Sequence, residues 1–148
     1  MALTSVAEII SESMFCKEQF PKSASESRNQ GEFEALVGTA LTEAAAETKQ
    51  RVGNTNYASL DAEVLVNITT AEKYLAVSKM YNRLISVVAA WDAEVLPSEF
   101  VESDVCERQR DWYASEWGRI TGIYAVEPMA AMNMPILIMR GVSLEAEA

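Results

Sequence analysis

Apolar and small residues recur along most of this chain at the spacing of an α-helix, and the pattern is densest over residues 69–91. There Ala71, Tyr74, Leu75, Ser78, Tyr81, Ile85, Val88 and Ala89 follow an i, i+3, i+4, i+7 rhythm with no Pro or Gly among them. That predicts a helix with one face turned to a core. Its far end, residues 84–91, is apolar nearly all round, so two neighbours are expected to cover it. A helix covered from both sides is the centre of a bundle.

The other elements follow from the same reading. A first helix is expected to start at Ser5, with Glu8 completing a capping box. Val6, Ile9, Ile10 and Met14 form its stripe, Phe15 and Phe20 extend it, and Pro21 ends it. Residues 22–31 are polar and aperiodic, a linker long enough for the first helix to dock at a distance, on a neighbouring copy. The second helix, 32–52, carries Phe33, Leu36, Val37, Ala40, Leu41, Ala44 and Thr48 on one stripe. Gly38 within it suggests a close contact, and Gly53 stands where a left-handed C-terminal cap belongs. Ser59 or Asp61 then caps a segment whose stripe is Leu60, Val64 and Ile68. A second capping box of Thr69 with Glu72 leaves residues 61–91 as either one long helix or a short one followed by the central helix, and the β-branched run Ile68-Thr69-Thr70 favours a break near 67–70. Pro97 stops the central helix. Asp104 with Glu107 opens a fourth at Val105, whose broad face holds Cys106, Tyr113, Trp117, Ile120 and Tyr124, while Gly118 and Gly122 weaken its last turns.

From residue 126 the texture changes. A Met-rich stretch leads to Pro135 and four large apolar residues, which reads as a single extended strand. A lone strand has no partner in a helical chain, so it either straps its own bundle or pairs with another chain. The expected fold is all-α: a bundle of four to five helices with an extended C-terminal arm. It divides into an N-terminal helix and linker (1–31), the bundle (32–125) and the arm (126–148). The residues expected to meet a partner are Ile9, Ile10 and Met14 at one end, and Met132, Met134, Ile136, Leu137, Ile138 and Met139 at the other.

Composition narrows the chemistry. With 148 residues, 49% hydrophobic and 23% charged, the chain suits one globular domain with a real core. Its net charge of −10 is spread out with no basic stripe, which argues against gripping nucleic acid as the main task. The chain has no His, and Cys16 and Cys106 lie far apart, so a metal site is not expected and both thiols read as reduced. No run approaches the ~18 apolar residues of a membrane span. The N-terminus lacks the basic start and apolar core of a signal peptide, so a cytosolic setting is expected. No glycine-rich phosphate loop, nucleophile elbow or base–nucleophile pair is present, so neither enzymatic activity nor a cofactor is expected. The carboxylates from Asp92 to Asp111 straddle Pro97 and a helix start, where acidic residues serve capping and solvation; an acidic contact patch for a basic partner is the next reading, ahead of an acid–base pair. The aromatic residues Tyr57, Tyr74, Tyr81, Trp91, Trp112, Tyr113, Trp117 and Tyr124 read as packing rather than a base-stacking platform.

Two stretches in order, FEALVGTALTEAAAETKQRVGNTNY and AEKYLAVSKMYNRL, resemble the head–tail connector, or neck adaptor, proteins of tailed bacteriophages. The resemblance covers about residues 33–85 and lies in texture and helix order rather than in a diagnostic motif. It implies a small helical subunit that forms a homo-oligomeric ring in the virion neck, assembled in the host cytoplasm. Its partners would be portal and tail-side neck proteins, with DNA passing nearby without specific binding. This chain departs from that pattern in its added N-terminal helix and longer central helix. Two other readings stand beside it: a dimeric helical module that binds another protein, and a small-ligand binder with its pocket between helices two and three.

Overall fold

The computed structural model describes residues 2–23, 26–90 and 103–126. Among them are four α-helices, α1 (Val6–Ser13), α2 (Gln30–Tyr57), α3 (Ala62–Ala90) and α4 (Ser103–Tyr124), with a short 3-10 turn at Lys17–Gln19. The architecture is an all-α bundle. The expected C-terminal arm lies outside the described residues.

α1 begins as its sequence dictates: Ser5 is extended, and its hydroxyl accepts the Glu8 N–H. It stops earlier than the apolar stripe suggests. Met14 adopts a left-handed conformation (φ 61°), and its N–H closes the helix onto the Ile10 carbonyl. The Ser13 hydroxyl bonds back to the Ile9 carbonyl, which competes with helix continuation. Phe15 and Phe20, read as an extension of the helix, reach the core from the irregular segment that follows it.

α2 opens with a full capping box. The Asn29 side chain accepts from Glu32 N, and Glu32 accepts from Asn29 N. Its helical geometry is interrupted at Gly53, with φ 85° and ψ 160°. That region is open in practice only to glycine, and is not the left-handed cap the sequence suggested. Val126 closes over this glycine, and a Cβ added there would lie 2.8 Å from Val126 Cγ1. Gly38 has no such need, since its added Cβ would sit 3.9 Å from Val6 Cγ2, an ordinary contact.

α3 is continuous from Ala62 to Ala90, so the break expected near 67–70 does not occur. Ile68 is fully buried, and the Thr69 hydroxyl bonds to the Leu65 carbonyl within the helix. Tertiary burial outweighs the few tenths of a kcal/mol that each β-branched residue costs in helix propensity. At 29 residues the helix spans about 44 Å. It packs on α2, α4 and α1, which makes it the centre of the bundle.

The three long helices run up, down and up. Lys79 meets Glu47 and Tyr57 meets Glu72 between α2 and α3, while Ser78 bonds the Arg110 carbonyl and Asn67 bonds the Tyr124 hydroxyl between α3 and α4. One end of the bundle therefore gathers the C-termini of α2 and α4 with the start of α3. The other gathers the starts of α2 and α4 with the end of α3. The larger core cluster runs through Ile9, Phe20, Phe33, Val37, Met80 and Leu84, and a smaller one joins Val52, Tyr57 and Ile68. Each large buried side chain contributes on the order of 1.5–3 kcal/mol by leaving water.

Candidate functional site

The partner residues expected at the N-terminus have three different fates. Ile9 is fully buried in the chain's own core, Ile10 packs partly against it, and Met14 is 81% exposed. The first helix therefore docks on its own bundle rather than at a distance on another copy, and Ile9 is no surface contact. Glu12 fixes that docking by accepting from the Tyr113 hydroxyl at 2.9 Å and lying 3.7 Å from Lys73. Met132, Met134, Ile136, Leu137, Ile138 and Met139 lie outside the described residues.

The aromatic residues pack on one another. Tyr74, Trp112 and Tyr113 contact in pairs with ring centroids 5.0–5.8 Å apart, and Tyr81 bridges Phe15 and Tyr113. Within the acidic stretch, Asp104 pairs with Arg108 and Asp111 with Arg110, while 92–102 lie outside the described residues. Among the described residues no cluster of His, Cys, Asp and Glu could hold a metal ion. Cys16 and Cys106 are thiols rather than disulfide partners, Cys106 buried and Cys16 partly so. Burial pushes both thiols above their ordinary range, helped by Glu18 at Cys16 and by Asp104 and Glu107 at Cys106. Neither is an activated nucleophile. No helix among the described residues is long and apolar enough to cross a membrane.

Three features escape local sequence reading. The first is a carboxylate clasp. Glu72 is fully buried at the middle of α3. One of its oxygens accepts the N–H groups of Leu3 and Thr4, both at 2.8 Å, and the other accepts the Tyr57 hydroxyl. Burial, followed by this bond to Glu72, raises the Tyr57 hydroxyl well above its ordinary value. The clasp ties the chain's start to the α2–α3 junction.

The second feature is the bundle end where α2 stops, α3 starts and α4 stops. Val126 N–H bonds the Arg51 carbonyl, and Asn56 bonds the Val52 and Tyr124 carbonyls. Arg51 also reaches the Thr121 hydroxyl and lies over the Trp117 ring, whose N–H bonds Thr48. This ordered polar frame leaves apolar side chains outside: Leu60 fully exposed, Ile123 at 68% and Val126 at 46%.

The third is a groove of about 580 Å³ at the opposite end, bordered by α2, α3, α4 and the segment before α2. Arg28, Lys79, Arg83 and Arg110 line it, with Glu43 as the one carboxylate among its described lining residues.

Comparison with protein-family models, with curated proteins and with solved structures finds no match.

Proposed function

We propose that the chain is a structural subunit of a viral neck, an adaptor that assembles into a ring joining a portal to tail or stopper proteins around a DNA channel. The observation that carries this reading is the apolar bundle end. Leu60, Ile123 and Val126 stay outside a fold whose polar groups at that end are otherwise well paired. Exposed apolar groups gathered at one end of a well-paired bundle mark contact surface rather than unfinished core. The helix order over 33–85 resembles that of neck adaptors, and the net charge of −10 suits a lumen that passes DNA without holding it.

Solution mass and electron microscopy of the full chain test this reading. A closed ring of about a dozen copies is expected, with heterologous contacts between neighbours. Ile123→Glu should leave the helical circular dichroism intact and abolish the ring. A stable dimer at every concentration would overturn the ring and favour a dimeric interaction module.

A further inference from the structure

The groove opposite the apolar end concentrates positive charge in a strongly negative chain. Four of the chain's twelve lysines and arginines line it, contributed by three separate parts of the fold. Lys79 and Arg83 stand one turn apart on α3, where like charges repel. Arg110 faces them from α4, and Arg28 comes from the segment before α2.

Only part of this charge is answered from within the protein. Lys79 pairs with Glu47, while Arg110 bonds Asn82 at 3.1 Å and Asp111 at 3.0 Å. Arg83 makes no ion pair with a described residue. The Nε of Arg28 is buried with no hydrogen-bond partner. A buried guanidinium N–H without an acceptor is costly, and an oxyanion is the partner whose geometry matches it. Between the cations the groove is lined by the apolar side chains of Phe20, Leu36, Leu75 and Val87. Its volume falls in the range of small-molecule sites, roughly 300–1,000 Å³.

We propose that this groove binds a small molecule carrying phosphate or carboxylate groups on an apolar body. Arg28 and Arg83 take the oxyanion, Arg110 and Lys79 add long-range attraction, and the apolar surface takes the body. This inference does not depend on the ring assembly.

Calorimetric titration of the full chain with inorganic pyrophosphate, and separately with citrate, tests it. Saturable binding is expected, weakening as salt is added. Binding of pyrophosphate alone identifies a phosphate ligand, and binding of both identifies a general oxyanion site. Arg83→Gln should weaken binding roughly tenfold or more, the loss expected for one charge-assisted hydrogen bond. Arg119→Gln, which removes an exposed pair with Glu116 elsewhere on α4, should leave binding unchanged. Ser86→Asp provides a second route, because Ser86 is exposed and its hydroxyl bonds only its own helix at the Asn82 carbonyl. An added carboxylate there should abolish binding without disturbing the core. Absence of saturable binding by either anion overturns the proposal. So does equal weakening by Arg83→Gln and Arg119→Gln, or binding of duplex DNA with neither small anion bound.

Discussion

At the scale of single residues, Glu72 has the most to hold. It makes no ion pair with a described residue and depends on three donated hydrogen bonds, two from backbone and one from Tyr57. A buried carboxylate is tolerable only when its lone pairs are answered in this way. Glu72→Ala would leave the Leu3 and Thr4 N–H groups and the Tyr57 hydroxyl without their acceptor. Each orphaned buried donor costs on the order of 1–3 kcal/mol, so a loss of about 3 kcal/mol or more is expected in urea unfolding. Tyr57→Phe removes one donor and should cost about 1.5–3 kcal/mol, the range for a bond to a charged group. The two effects should fall short of additivity, because the variants share an interaction. A Glu72→Ala loss under about 1 kcal/mol would mean that water replaces the carboxylate.

At the scale of elements, legibility tracked how local the deciding interaction is. The α2 stripe was plain because Phe33, Val37, Ala40, Leu41, Ala44 and Thr48 are all buried by one face of one helix. The break expected in α3 followed from the β-branched run at 68–70, beside a reading of Glu72 as a local cap for Thr69. Its real partners at Leu3 and Thr4 lie 69 and 68 residues away. The basic groove was invisible for the same reason, since only Lys79 and Arg83 are helical neighbours in sequence, and Arg28 and Arg110 join them only after the helices stack. α1 shows the consequence for stability. Eight residues are too few to be helical alone in water, so α1 exists because Ile9, Glu12 and the clasp dock it. Ile9→Ala should cost about 2–5 kcal/mol by the lost methyl groups and the cavity left behind. Hydrogen exchange should show the amides of residues 6–13 losing protection before those at the centre of α3. Unchanged protection over 6–13 would show that α1 is held without Ile9.

At the scale of the whole molecule, the pattern of ionisation sets where stability fails. With no His in the chain, no group with an ordinary pKa in the range of pH 6–7 is available to switch. Apart from Lys22 and Arg119, which Glu32 and Glu116 hold up at the surface, the raised groups are acids that the fold keeps neutral. Burial and then Glu72 hold Tyr57 up, burial and then Glu12 hold Tyr113 up, and burial and then Cys106 hold Tyr81 up, with the Cys16 and Cys106 thiols raised chiefly by burial. An acid raised in the folded state contributes nothing adverse below its unfolded value. Above that value the unfolded chain releases its proton while the folded chain still holds it, so stability falls as pH rises. The unfolded references are 9.0 for the thiols and 10.0 for the tyrosines. Melting temperature should therefore be nearly flat at neutral pH and decline from about pH 9 upward, more steeply above pH 10. Growing net negative charge on an already acidic chain acts in the same direction. The lowered carboxylates, Glu32 and Glu116, are held down by their bonds to Lys22 and Arg119 at the partly exposed surface, where screening keeps such pairs weak. Tyrosinate absorbance gives the decisive readout. In the folded protein Tyr57, Tyr81 and Tyr113 should ionise together with unfolding rather than before it, and a smooth titration at ordinary tyrosine pH without loss of helix would show that these hydroxyls are open to water.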